Sequence, residues 1–122
     1  MGQHVLLIED EPNIAEAIRF ILARDGWQVS IHSGGSDSVK EVKKLRPDVL
    51  ILDVMLPGQS GFDILRALRA LPEFVALRVL MLTAKGQGCD RETAERAGAD
   101  MFMTKPFSNA EILTSVRALG AQ

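Results

Sequence analysis

The chain has 122 residues, of which 47% are hydrophobic and 25% charged, with a formal charge of −2. This length fits one domain, residues 1–122, around one hydrophobic core, and the near-even charge excludes a general attraction to nucleic acid or to an anionic membrane. The single cysteine, Cys89, excludes an intrachain disulfide framework, His4 and His32 lack the companions of a zinc or haem site, and no stretch resembles a signal peptide or membrane span, so the expected location is the cytoplasm.

The first apolar run, Val5 to Ile8, ends in Glu9 and Asp10. A helix is expected from Pro12, whose missing N–H would have no intrahelical partner in a first turn, to Asp25-Gly26, with Ile14, Ile18, Ile21 and Leu22 inward. Trp27 leads into a second run at 28–32. The second helix is expected from about Ser36 to Leu45, with Val39, Val42 and Leu45 inward, Lys40, Lys43 and Lys44 as a solvated face, and Pro47 blocking continuation. The third run, 49–52, ends in Asp53, and a helix from about Gly61 to Ala70 follows with Ile64, Leu65 and Leu68 inward. Thr83 closes the fourth run, 79–82. The fourth helix, about Asp90 to Ala97, has only small apolar residues (Cys89, Ala94, Ala97) among glycines at 86, 88 and 98, so it is either a short surface helix or a weakly anchored segment that shifts. The fifth run, 101–103, leads to Lys105, and the last helix opens on the capping box Ser108 to Glu111 and buries Ile112, Val116 and Leu119.

Strand runs that are apolar on both faces and alternate with helices predict an α/β fold, a parallel sheet covered on both sides. Ligands of such sheets bind beyond the carboxyl ends of the strands where the winding reverses, which in a 2-1-3-4-5 order is between strands one and three. Glu9, Asp10 and Asp53 would meet there. Two carboxylates about 4 Å apart repel by roughly 4 kcal/mol at an effective dielectric near 20. Three therefore need a cation, and a hard divalent ion such as Mg²⁺, bound through oxygens, answers the need. The alternative is that one acid is protonated or paired with a lysine. Thr83 and Lys105 add a hydroxyl donor and a fixed cation at the same edge, although alone they would read as a strand or cap residue and a surface charge. Together these are parts for phosphoryl transfer to an aspartate, and Asp53, alone on its strand, is the nucleophile candidate.

The segments Ile8-Glu9-Asp10-Glu11-Pro12-Asn13, Leu52-Asp53-Val54-Met55-Leu56-Pro57 with Gly61 and Asp63 following, Leu82-Thr83-Ala84, Ala97-Gly98-Ala99-Asp100 and Lys105-Pro106-Phe107 resemble, in this order and over essentially the whole chain, the receiver domains of two-component response regulators. The resemblance implies a flavodoxin-like (βα)5 three-layer sandwich with a central five-stranded parallel sheet in the order 2-1-3-4-5. Asp53 matches the phospho-accepting aspartate, which takes its phosphoryl group from a sensor histidine kinase or phosphotransfer protein and in many members from small phosphodonors. Asp10, Asp53 and the backbone carbonyl of Met55 match the magnesium ligands, with Glu9, where most members have aspartate, acting through water. Thr83 and Lys105 match the residues that bind phosphoryl oxygens. Phe102 matches an aromatic switch position, which turns from exposed to buried as Thr83 moves inward, and Lys105–Pro106 matches a peptide bond that is usually cis.

The resemblance implies a phospho-accepting regulator rather than an enzyme, one that assists its own phosphorylation and dephosphorylation. Its output face would be helix four, strand five and helix five, acting on an output domain or a partner protein. Met55, bulky beside the acceptor, suggests a long-lived phosphorylated form, with Lys85 modulating it. The last helix, Arg91 and Glu111 look most like regulators with a winged-helix DNA-binding domain, whose receivers form a phosphorylation-dependent homodimer. Ala97, Met101 and Ser115, however, stand where those relatives usually carry charged or polar partners. Three other readings remain. A flavin-binding flavodoxin would need a Ser/Thr/Gly-rich loop where Glu9-Asp10-Glu11 stand, and a haloacid-dehalogenase-type phosphatase would need an acid at Met55. A receiver that is never phosphorylated would be an interaction module only.

Overall fold

The computed structural model describes residues 3–84 and 91–121. Five strands, β1 (His4–Ile8), β2 (Gln28–His32), β3 (Val49–Asp53), β4 (Arg78–Ala84) and β5 (Met101–Lys105), form one parallel sheet in the order β2-β1-β3-β4-β5. The helices between and after them are α1 (Pro12–Arg24), α2 (Ser38–Leu45), α3 (Gly61–Arg69), α4 (Arg91–Ala97) and α5 (Asn109–Gly120). This is the predicted α/β sandwich in the predicted strand order.

Alternation along the strands builds two core layers. Val5, Leu7, Val49, Ile51, Leu80 and Leu82 face α1 and α5, where Ile18, Leu22, Ile112 and Val116 meet them, and Trp27 belongs to the same layer. Leu6, Ile8, Leu50, Leu52, Val79 and Met81 face α2, α3 and α4. Each fully buried Leu or Ile contributes roughly 1.5–3 kcal/mol relative to exposure, so Val5–Ile8 of β1 and the whole of β3, all buried, anchor the domain. In α1 the inward face is Ala15, Ile18 and Leu22, with Ile14 and Ile21 at its margin. Among its described side chains, α4 buries Ala94 and Ala97 in the core, small apolar groups as its composition suggests.

Local chemistry explains where the elements differ from expectation. The α2 helix starts at Ser38 rather than Ser36, because Gly34 and Gly35 take left-handed conformations (φ 101° and 105°) in a turn that Ser38 closes on the Gly35 carbonyl. It ends one residue before Pro47, on Arg46 at φ 45°. A 3-10 turn at Pro72–Phe74, not expected from the pattern, seats Phe74 in the second layer. The strands β4 and β5 run past their apolar stretches, so Thr83 and Lys105 are ladder residues opposite Thr104 and Ala84. The edge strand β2 is only partly covered, unlike β1 and β3. Lys85, Cys89 and the expected helix start at Asp90 lie outside the described residues, as do the side chains of Ala84 and Arg91.

On the α1 side of the sheet lies α5. Both capping-box bonds are present, Ser108 Oγ accepting from Glu111 N–H and Glu111 Oε1 from Ser108 N–H. At the other end of α5, Arg117 binds both carboxylate oxygens of Asp25, just past α1. The guanidinium holds the Asp25 carboxyl below the ordinary aspartate range, helped by the Trp27 indole N–H. A depressed folded value means that this pair's contribution is present above the unfolded aspartate value and is lost as pH falls through the folded one. Carbon-detected NMR titration of Asp25 should give a midpoint below 3.8 in the native chain and a return toward 3.8 in Arg117→Met. An unchanged midpoint in the variant would show that Arg117 is not the cause.

Candidate functional site

The ladder register sets the site. Ile8 lies opposite Leu52, so the next residue of each strand, Glu9 and Asp53, emerges side by side at the carboxyl edge. The Glu9 N–H is held by the His32 carbonyl at 3.0 Å, which extends the β1–β2 pairing one residue past the strand. Glu9 and Asp53 are 2% and 3% exposed, whereas Asp10 faces solvent. One carboxylate oxygen from each of Glu9, Asp10 and Asp53 lies within 4.8 Å of the others, so the three sequence candidates converge.

Lys105 joins them from β5. Its Nζ donates to Glu9 Oε1 at 3.0 Å and to Asp53 Oδ2 at 3.2 Å, with the side chain 18% exposed. The lysine pairing weighed as an alternative for one acid is thus realised for two. It does not neutralise the site, since among the described residues one ammonium faces three carboxylates. Burial pushes the Glu9 carboxyl above the ordinary glutamate range and repulsion from Asp53 adds to this, against hydrogen bonds from the Glu11 N–H and Lys105. Burial alone would lower the Lys105 ammonium, but its hydrogen bond to Glu9 and the charges of Asp53 and Glu9 outweigh that and hold it above the ordinary lysine range. At separations near 5 Å each carboxylate pair still repels by roughly 3 kcal/mol at an effective dielectric of 20. Such a set of hard oxygens, short of positive charge, fits a divalent cation.

The remaining candidates flank this cluster. Thr83 is 2% exposed, next to the chain end of β4, and Leu82 of the same strand pairs with Asp53. Phe102 packs partly buried against the α2–α3–α4 layer, opposite Met81, so Thr83 and Phe102 lie on the same face of adjacent strands. Met55 is 59% exposed in the loop after β3. The Lys105–Pro106 peptide bond is cis. No helix among the described residues is long and apolar enough to cross a membrane.

The sequence profile described as "Response regulator receiver domain" matches residues 5–117. The chain belongs to that family. The receiver domain is 44% identical over 115 residues to "Probable transcriptional regulatory protein TcrX" of Mycobacterium tuberculosis, covering 94% of this chain and 48% of that protein. It is 37% identical over 118 residues to "DNA-binding response regulator MtrA" of Mycolicibacterium smegmatis, covering 97% and 50%. The chain thus spans about half the length of the curated relatives it matches. Among solved structures it superposes at a TM-score of 0.90, with 29% identity and all of both chains covered, on the receiver domain of a sensor histidine kinase of Pseudomonas aeruginosa, described with a magnesium ion coordinated in the active-site cleft.

Two features of the receiver domain were not legible as motifs. One is the double contact of Lys105, for which its position after a strand is the only signal. The other is the role of Gly61, quoted in the resemblance but without a reason. The loop after β3 doubles back so that Gly61 N–H donates to the Val54 carbonyl at 2.8 Å, and a Cβ on Gly61 would lie 2.2 Å from the Asp53 carbonyl oxygen. Only glycine lets α3 begin there. Gly61→Ala gains at most about 1 kcal/mol of helix propensity but forces the Asp53 backbone to move, an overpacking cost of about 1–3 kcal/mol or more. Urea denaturation should therefore show net destabilisation; a change within about 0.5 kcal/mol would show that the loop relaxes freely.

Proposed function

We propose that the receiver domain is a phosphorylation-activated signalling switch whose acceptor is Asp53. What carries this reading is the buried Asp53 carboxylate set between a fixed ammonium at 3.2 Å and two further acids within metal-sharing distance. Asp10, Asp53 and the Met55 backbone carbonyl would hold Mg²⁺, with Glu9 acting through water. The ion supplies the charge that lets acidic groups and a phosphoryl group share one site.

The chain's own residues do the rest. A carboxylate oxygen of Asp53 attacks the phosphorus of a phosphohistidine on a sensor kinase or phosphotransfer protein; the P–O bond forms as the P–N bond breaks, and the imidazole leaves. Lys105, held protonated, follows the growing negative charge, and the Thr83 hydroxyl donates to a phosphoryl oxygen. Hydrolysis of the acyl phosphate by water at the same site would reset the switch. Movement of Thr83 would be felt by Phe102 on the adjoining strand, and through it by the α4–β5–α5 face, where a groove of about 570 Å³ is lined by Phe102, Thr104, Glu111 and Ser115. That face would contact an output domain or a partner protein. It offers little to a charge-paired homodimer, because Ala97, Met101 and Ser115 bring no charge and Glu111 is engaged in its capping box. With a net charge of −2 the domain itself would not bind nucleic acid.

Incubation with acetyl phosphate and Mg²⁺ should add the mass of one phosphoryl group to the native chain. No addition should occur in Asp53→Asn or when EDTA replaces Mg²⁺. Beryllofluoride with Mg²⁺ should raise the melting temperature of the native chain and leave that of Asp53→Asn unchanged. Failure to gain the group from any donor would leave an interaction module that is never phosphorylated.

A further inference from the structure

Among the described residues the sheet ends at β2, whose outer edge carries no further strand. Gln28 N–H donates to the Gln3 carbonyl at 2.9 Å and the His32 carbonyl accepts from Glu9 N–H at 3.0 Å, so residues 28, 30 and 32 direct their backbone groups to β1. By the alternation of a parallel ladder, Val29 and Ile31 turn theirs the other way. Their side chains stand on the α1 side of the sheet, in register with Val5 and Leu7, and Ile31 is 37% exposed. Open edges are ordinarily blunted by a lysine, a proline or a bulge. The segment Gln28-Val29-Ser30-Ile31-His32 has no lysine, arginine, acid or proline, and its register with β1 runs unbroken from end to end.

The strand is also complementary to itself. Set antiparallel to a second copy about Ser30, it places Val29 opposite Ile31 and Ile31 opposite Val29, each pair exchanging the backbone bonds that β1 does not use, with the apolar side chains together on one face. Ser30 meets Ser30 on the axis and Gln28 meets His32, so no like charges come opposite each other. The flank of α1 fits the same axis. The helix packs over β2, its inward face is Ala15, Ile18 and Leu22, and Ile14, Ala17 and Ile21 turn toward Phe107 and Asn109 at the start of α5. Glu16 and Arg19 are therefore on the side away from α5, beyond β2, where they form an exposed ion pair. Ile18 is the middle residue of α1 as Ser30 is of β2, so Glu16 and Arg19 lie to either side of the axis and each would meet the opposite charge across it.

We propose that β2 is an interface for a second copy of this chain, the two β2 strands pairing antiparallel about a two-fold axis at Ser30 and the α1 helices meeting through Glu16 and Arg19. One continuous sheet would then run through both copies. Because β2 and β5 are opposite edges of the sheet, this pairing leaves the α4–β5–α5 face clear, and it requires neither a metal nor a phosphoryl group. A strand pair with one helix flank belongs to the small interfaces, below about 1,200 Å², so the dimer would be weak and would form only at high concentration.

Sedimentation equilibrium of the whole chain without metal, from about 10 μM to about 1 mM, should show the mean mass rise from monomer toward dimer. Over the same range, amide exchange followed by NMR should slow at Val29 and Ile31 by about twofold or more once half of the chains are paired, while Ser30 and His32, already bonded to β1, change little. Ile31→Lys, which charges the edge, should abolish the rise in mass. Glu16→Arg should weaken association about fivefold, the scale of two exposed ion pairs, and adding Arg19→Glu to it should restore the native value. A mean mass that stays monomeric at about 1 mM would overturn the proposal. So would a dimer of native strength in a folded Ile31→Lys chain. If that variant does not fold, the amides decide: a dimer in which Val29 and Ile31 do not respond is joined elsewhere, and the β2 interface falls.

Discussion

The contact on which the receiver domain turns is Lys105 Nζ between Glu9 and Asp53, both almost fully buried. A parallel ladder forces it. Glu9 continues the row of Leu7, Asp53 that of Ile51 and Lys105 that of Met103, and all three rows belong to the α1–α5 side of the sheet. Packing that is purely apolar along the strands thus delivers three charged groups to one side of one edge. Burial of this kind is costly unless the charges compensate. Here the compensation is incomplete, and the opposing directions of burial and pairing on Glu9 and Lys105 record it. Among the described residues the site is left short of positive charge, which a divalent cation could supply.

The rest of the fold divides into parts that hold this edge still and a part that is lightly held. Four strands of the sheet and the inward faces of α1, α3 and α5 provide the first, with Gly61 letting the chain return against the Asp53 backbone without displacing it. The α4 helix is the second. Large side chains at Ala94 and Ala97 would each have added one or two kcal/mol of burial and fixed the helix along its whole length. Alanine there brings little apolar area, and the Arg69 guanidinium, bound to the Gly98 carbonyl, adds a polar staple at the end of the helix. The strand β4 connects the two regions, since Thr83 stands near its carboxyl end and Val79, bound to Asp100, near its start.

How much of this was legible follows from what periodicity can encode. Strands, helices and both core layers rest on the spacing of apolar residues, and those were readable from Val5, Leu50 or Ile64 as they stand. The extension of β5 to Lys105 was not, because Lys105 is a polar residue paired by backbone bonds to which a hydrophobic pattern is blind. Convergence of Glu9, Asp10 and Asp53 could be argued from the winding order, but that Lys105 spans two of the acids depends on side-chain reach. Arg69 is the extreme case. It reads as an ordinary basic residue in a last helical turn, yet its partners at Gly98 and Asp100 lie 29 and 31 residues further on. A glycine whose neighbour forbids a Cβ carries no mark of that neighbour in the sequence.

The two faces of the sheet also have different standing toward the acidic edge. Thr83 continues the row of Met81 and so belongs with Phe102 and α4, whereas Glu9, Asp53 and Lys105 continue rows on the α1–α5 side. The edge is therefore where the layers meet, with the charged groups arriving from one and the hydroxyl from the other. A phosphoryl group held by Lys105 and Thr83 would draw on both. The two layers are built differently: α1 and α5 are joined to the sheet by large side chains and to each other through Asp25 and Arg117, whereas α4 brings Ala94 and Ala97 to the core. Trp27 is in the α1–α5 layer, packed against the end of α5 near Gly120. Its fluorescence is thus placed to report unfolding of the domain.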